Sequence, residues 1–359
     1  MKYLNALNKI QGLGPQKMKL LINFFGAWEN AWQGSSSDFL ESGLSEKMTQ
    51  KIISERSSIN PDQEWEKLEK YQIQMISEDN PLFPQNLLET PGCPFVLYQR
   101  GDLNLNEQKF IAVVGSRKHS YYGRQVAQKI AAELSEAGLV VVSGLALGID
   151  AIAHEGALSA QGKTVAVLGS GLDDDNIFPK NNFNLAQRII NSGCLLSEYS
   201  PGTPANTFTF PARNRIIAGL SLGTLIIEAG EKSGSLITAS LSLDYNREVF
   251  AIPGQIFSPQ AVGTNKLIRQ GAKLVMSAQD VLEEFEFSFS SSKTTSSKEH
   301  IPENETEKKL LKVLSLEPMH IDKIAQVTTL GTMTVSGALT LMEIKGWIKN
   351  IGGQNYILL

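Results

Sequence analysis

Apolar residues along this chain follow two rhythms. From Lys2 to about residue 70 they recur every three or four positions among charged neighbours, the spacing of one-sided helices. From Ile73 the pattern changes to short apolar runs. These are Ile73–Ser77, Pro94–Asp102, Phe110–Val114, Leu139–Val142, Thr164–Leu168, Cys194–Ser197, Thr224–Ile227 and Glu248–Ala251. Helical patterns lie between the later runs at Tyr121–Ala137, Gly148–Ala160, Asn181–Asn191, Pro211–Gly219 and Ser235–Tyr245, and Asn265–Gln270 follows. Runs without polar alternation read as strands buried on both faces. Strands alternating with helices over short links predict an α/β fold with an extended Rossmann-like, doubly wound, mostly parallel sheet.

Residues outside this region form smaller blocks. Ile10 to Gly26, IQGLGPQKMKLLINFFG, places a Gly-x-Gly-Pro turn between two helical patterns, like a helix-hairpin-helix. Such turns can touch DNA phosphate through glycine amides, but the region is acidic and a plain helical packing domain is the preferred reading. SFSSSKTTSSK at 288–298 has nothing to bury and reads as a linker. Beyond it Glu305–Leu316, Ile321–Thr328 and Thr332–Ile344 read as helices, and WIKNIGGQNYILL reads as a hairpin turning at Gly352-Gly353. Three helices and a hairpin predict a winged helix. The expected organisation is a helical domain at 1–72, a sheet domain at 73–287, a linker at 288–303 and a winged helix at 304–359. At 359 residues the chain exceeds one typical core.

Composition narrows the class. Hydrophobic content of 42% and charged content of 19% suit a globular protein. No basic-then-apolar leader follows Met1, and two cysteines, Cys93 and Cys194, cannot build a disulfide framework. A reducing cytoplasm is the expected location. The net charge of −4 is unevenly spread. Residues 1–109 carry 11 basic and 14 acidic side chains, residues 110–275 carry 14 and 12, and residues 276–359 carry 8 and 11. A polyanion site therefore belongs in the middle region, as a local patch. The third helix of the winged segment, with one Lys and one Glu in TMTVSGALTLMEIK, fits a protein contact better than DNA reading.

The candidate chemistry sits where strands end. Gly115-Ser116-Arg117, Ser143-Gly144 and Gly169 each follow an apolar run, and Ser233-Gly234-Ser235 precedes a helix. Such turns offer amide donors to an anion at the carboxyl edge of a parallel sheet. The Arg117 guanidinium holds a phosphate in two bonds, which a lysine does not copy. Lys180 and Phe183, three apart, pair a cation with a ring as single-stranded nucleic acid requires. Arg213 and Arg215 flank Asn214 near a predicted helix start after Pro211, where they oppose the helix dipole unless an anion bridges them. The plainer alternative pairs these arginines with Glu198, Glu228 or Asp150. GKT at 162–164 enters a strand instead of leaving one and is no nucleotide-triphosphate loop. His154 has no second ligand at metal spacing and reads as a packed, hydrogen-bonded histidine. Neither a cofactor, a metal nor a catalytic set is expected.

Taken together the motifs resemble the DprA/Smf family of DNA-processing proteins. VGSR (114–117), SGLALGIDAIAHEGAL (143–158), TVAVLGSGLD with FPK (164–180) and SEYSPGTPANTFTFPARNRIIAGLS (197–221) carry the likeness. EAGEKSGSLITA (228–239) and IPGQIFSPQAVGTNKLIRQGA (252–272) complete it. The resemblance implies a single-stranded DNA-binding protein, without enzyme activity, that loads RecA recombinase during natural transformation and dimerises through its Rossmann-like core. It further implies DNA-backbone contacts from Arg117, Lys180, Arg213, Asn214 and Arg215 and from the Gly115, Ser116, Ser143, Gly144, Ser233 and Gly234 amides, with Ser235 beside them. Phe183 would stack a base. One rival is an enzyme: lysine-decarboxylase-like phosphoribohydrolases have a similar sheet and a P-G-G-x-G-T-x-x-E loop acting on nucleotide monophosphates. Here GLSLGTLIIEA (219–229) lacks the P-G-G, and Glu228 falls one residue late.

Overall fold

The computed structural model describes residues 1–285, 302, 304–315 and 317–358. The chain divides into two units, Met1–Phe289 and Ser290–Leu359. The expected linker at 288–303 lies outside the described residues except for Pro302.

The first unit opens with six helices, Lys2–Asn8, Pro15–Phe25, Trp28–Gln33, Ser36–Glu41, Glu46–Arg56 and Pro61–Lys70. Pro15 and Pro61 occupy first helical positions, where the missing N–H would have had no partner. The Asn60 side chain accepts from the Asp62 and Gln63 amides, and Gly26 at φ 68 ends the Pro15 helix. These helices share their core with the sheet: Leu4, Leu7, Met18 and Leu21 join Phe95, Tyr98 and Leu195 in one cluster. Tyr98 is fully buried there, donating to Asn5 Oδ1 (2.7 Å) and accepting from Asn8 Nδ2 (3.2 Å). Asn8 also donates to the Glu198 carbonyl (3.1 Å), tying the helical segment to the loop that enters the cleft described below.

The sheet has nine strands: β1 Ile73–Ser77, β2 Val96–Arg100, β3 Phe110–Val114, β4 Val140–Ser143, β5 Thr164–Val167, β6 Cys194–Ser197, β7 Gly223–Ile226, β8 Glu248–Ala251 and β9 Lys273–Leu274. Their order is β1-β2-β6-β5-β4-β3-β7-β8-β9. β6 through β9 in that order are parallel, while β1 and β2 add an antiparallel edge. The α/β, Rossmann-like reading is thus the fold observed. In β3, Ile111 and Val113 face one layer with Ile130, Ile149 and Leu225, whereas Ala112 and Val114 face the other with Ile216, Ile217 and Ala239. A strand covered on both sides must be apolar throughout, which is why its sequence shows no alternation. The chain winds from β3 toward β6 on one side and from β7 toward β9 on the other. The strand order reverses between β3 and β7, and a crevice opens there at the carboxyl ends.

Boundaries shift slightly from the sequence reading. The helix expected from Pro211 spans Thr209–Leu220, and that expected from Asn265 spans Val262–Arg269. β9 and the helix Ala278–Glu284 were not foreseen, since two and seven residues are too short for a periodic signal.

The second unit packs helices Glu305–Val313, Ile321–Thr328 and Thr332–Ile344 around Leu310, Ile324, Val335, Leu339 and Met342. Its hairpin, β11 Ile348–Asn350 and β12 Asn355–Leu358, gains a third short strand, β10 Met319–His320, which pairs with β12. This is the expected winged helix. The described residues contain no helix long and apolar enough to cross a membrane.

Candidate nucleic-acid interface

A cleft of about 640 Å³ opens at the switch point between β3 and β7. Its wall comprises the turn after β3 (Gly115 to Lys118), the front of helix Thr209–Leu220 and the turn at Gly230 to Ser235. Arg117, Lys118 and Lys232 are exposed on its rim, Arg213 lies beneath, and Asp150 is the one acidic residue in its lining. A concave site with several cations and one buried carboxylate favours an anion.

Local bonds hold the β3 turn open. The Ser116 amide donates to the Glu228 carbonyl (2.8 Å), and the Ser116 carbonyl accepts from the Ile149 amide (3.2 Å). A Cβ on Gly115 would fall 2.8 Å from Ile149 Cγ1, so only glycine lets the three segments meet. The Ser116 hydroxyl accepts from the Lys118 amide (3.1 Å), leaving Arg117 and Lys118 pointing outward.

Two of the turn amides expected to await a ligand, those of Gly115 and Gly144, already have an anion. Asp150, 7% exposed, accepts from the Gly144 amide (3.1 Å), and the Gly115 and Ala146 amides also bond it. Burial raises its carboxyl above the usual range, opposed by Arg213 and those three amides. The dipoles gathered at these turns are therefore directed inward, toward a side chain six residues after Gly144. Ser143 is likewise internal: it is fully buried and donates to the Val113 carbonyl (2.7 Å), stitching β3 to β4.

The three arginines have separate fates. Arg117 lies over the Phe210 ring, 5.5 Å from its centroid. Arg213 is 5% exposed, donates to the Val167 carbonyl and faces Asp150; burial pushes it down to about 10 despite that carboxylate, and Arg117 adds to the fall. Its guanidinium presses on Gly144, where a Cβ would come within 1.9 Å of Nη1. Arg215 pairs with Glu198, away from the cleft lining, as the internal-pairing alternative anticipated. Because the helix begins at Thr209, Arg213 and Arg215 lie beyond its first turn, so the dipole argument for a bridging anion does not hold. Asn206 closes the turn ahead of that helix, its side chain accepting from the Phe208 (2.8 Å) and Thr209 (3.1 Å) amides.

Other expected residues divide similarly. Asn214 and Ser233 to Ser235 line the cleft: Asn214 Nδ2 donates to the Gly234 carbonyl (3.4 Å), and the Ser233 and Ser235 hydroxyls bond each other (2.8 Å). Gly234 is exposed at the start of helix Ser235–Asp244. Lys180 is exposed but folds its ammonium onto the Asp174 (3.0 Å) and Asp175 (2.7 Å) carbonyls, outside the cleft lining. Phe183 is half-buried against the core under the helical segment, so it does not share an open face with Lys180. Sequence reasoning missed Lys118, Lys232, Phe178 and Phe210, although all four stand inside or beside the quoted motifs.

Glu228 removes the enzyme rival's acid. Its carboxylate accepts from the Ser120 amide (2.8 Å) and hydroxyl (2.5 Å) at the start of helix Tyr121–Glu136, outside the cleft lining. Gly123 makes room for it, since a Cβ there would sit 2.2 Å from Oε2. His154 is fully buried; its Nδ1 bonds Thr164 Oγ1 (2.7 Å), which donates to the Val141 carbonyl, and burial with Arg213 nearby holds its pKa at about 3. No cluster of three metal-ligating side chains occurs among the described residues.

Comparison with known proteins places this geometry. Residues 74–286 match the family model for DNA recombination-mediator protein A, and residues 294–354 match that for the DprA winged helix domain. The Smf protein of Synechocystis sp. is 35% identical over 390 residues, spanning 99% of this chain and 98% of its own. The DNA processing protein DprA of Streptococcus pneumoniae is 49% identical over 205 residues, 57% of this chain and 72% of its own. The X-ray structure of DprA from Streptococcus pneumoniae superposes with a TM-score of 0.69 at 39% identity, covering 80% of this chain and 99% of that one. DNA processing protein A from Helicobacter pylori, a structure described for its single-stranded DNA binding mode, superposes at 0.54 with 32% identity, covering 60% and 96%. With sheet domain and winged helix both matched and one relative aligned almost end to end, the chain belongs to the DprA/Smf family of DNA recombination mediators.

Proposed function

We propose that the cleft binds the backbone of single-stranded DNA and that the protein protects the strand and passes it to RecA recombinase during natural transformation. The observation that carries this reading is the rim of Arg117, Lys118 and Lys232 above a floor whose single carboxylate is buried and already bonded. Phosphates meet the rim cations and the Ser233 to Ser235 turn. Arg213 and Asp150 lie below as a rigid base, holding the three turns in register. Arg213, Asn214, Gly115, Ser116 and Gly144 then serve the site by shaping it, and Lys180 extends the cationic path beyond it. Arg215, held by Glu198, lies outside the proposed DNA path. The Helicobacter pylori neighbour supports the strandedness.

The working unit is proposed to be a cytoplasmic homodimer joined through the sheet domain. Edge strand β9 supports this, since Leu274 and Met276 (79% exposed) leave apolar surface beside an unpaired strand edge.

The test is binding of the full chain to labelled oligo-dT at several salt concentrations. Three neutralised phosphates give a log–log slope of roughly −2 on a single strand. Arg117→Glu should weaken every sequence alike and reduce the slope by about one. Unchanged affinity in Arg117→Glu and Lys232→Glu would move the site elsewhere. Transfer to RecA is tested by strand exchange on DNA precoated with single-strand-binding protein, where the wild type should relieve the block and Arg117→Glu should not.

A further inference from the structure

We infer that Phe210 and Phe178, stacked in series on the Arg117 guanidinium, form a platform for unstacked nucleobases that joins the cleft to Lys180. The inference rests on the single-stranded DNA reading and assigns the bases a place, where that reading assigns only phosphates. Arg117 Cζ lies 5.5 Å from the Phe210 centroid. Phe210 and Phe178 have centroids 5.7 Å apart with planes tilted by 37°. Lys180 follows two residues after Phe178 with its ammonium at the surface. A guanidinium and two rings therefore succeed one another from the cleft rim, and Lys180 lies two residues further along the chain.

Two features separate this stack from ordinary core packing. Phe178 is 49% exposed although the apolar cores begin nearby with Ile177, which is fully buried. An open phenyl ring beside a buried neighbour is surface the fold leaves unused. The stack also begins at a cation, so a strand whose phosphate pairs with Arg117 carries its neighbouring bases over the rings. Bases of any identity have a π-face, so the platform is tolerant of sequence. A duplex has already stacked its bases and gains nothing there, so the platform favours single strands.

The test compares two oligomers of equal length and charge, oligo-dT and a wholly abasic strand, binding to the full chain. Loss of one stacking partner costs about ten-fold in affinity. Phe178→Leu should therefore weaken oligo-dT by about ten-fold and leave both the abasic strand and the salt slope unchanged. Phe178→Trp should restore oligo-dT binding. Phe210 is half-buried, so Phe210→Leu is scored only beside a thermal melt that matches wild type. Equal wild-type affinity for both oligomers, or equal weakening of both by Phe178→Leu, would overturn the platform and leave the phosphate cleft standing. A wild type that bound neither oligomer would overturn the platform and the DNA reading together.

Discussion

Two glycines of the cleft should answer the same substitution in opposite ways. In Gly144→Ala the new methyl would lie 1.9 Å from Arg213 Nη1 and 2.3 Å from its Cζ and Nη2, so the guanidinium must leave. It has nowhere equivalent to go, because it is 5% exposed and bonded to the Val167 carbonyl. Losing a hydrogen bond from a charged group removes about 1.5–3 kcal/mol. Overpacking a filled site adds about 1–3 kcal/mol. We expect Gly144→Ala to destabilise the first unit by ~3–5 kcal/mol. In Gly234→Ala nothing lies within 4 Å of the new methyl, and φ of −61° suits alanine. That change should stay within about 0.5 kcal/mol. Urea unfolding followed by Trp28, Trp32 and Trp65, which belong to the helices sharing the sheet's core, measures both. Equal midpoints for Gly144→Ala and wild type would mean that Arg213 is not locked against this turn, and the account of the cleft floor would fail.

Further outcomes follow from the same geometry. Arg215→Ala strands the half-buried Glu198 carboxylate and should cost roughly 1–3 kcal/mol in urea unfolding, with oligo-dT affinity of the folded protein preserved; selective loss of affinity would put Arg215 in the DNA path. His154 holds a folded pKa of about 3 against an ordinary 6.5, so the unfolded chain binds the extra proton. Its stabilising contribution is therefore complete above pH 6.5 and is lost as pH falls, by about 2 kcal/mol at pH 5. His154→Asn should abolish that part of the pH slope between pH 7 and 5, and an unaltered slope would refute it. Removing residues 288–359 should leave oligo-dT binding largely intact, since helix Thr332–Ile344 exposes Met333, Leu341 and Ile344 and carries no basic side chain. Loss of binding on that truncation would make the winged helix a DNA reader.

The sequence by itself determined the α/β sheet, the winged helix and the family. Parallel strands covered on both faces have to be apolar at every position, and that constraint shows in any window of five residues. It also put Arg117 just past a strand end, where the structure leaves it exposed on the cleft rim. What only the tertiary structure decided was the use of each polar group. The amides of Gly115 and Gly144 were legible as donors, but the carboxylate that takes them projects from helix Ile149–Ser159. Arg213 and Arg215 are two residues apart, and helix pitch sends one beneath the cleft and the other to Glu198. Phe178 and Phe210 are 32 residues apart in the chain, and their pairing depends on how β5 and helix Thr209–Leu220 place their loops. Local pattern records how deeply a segment is buried, whereas the partner of a donor or a ring is settled by chain folding at long range.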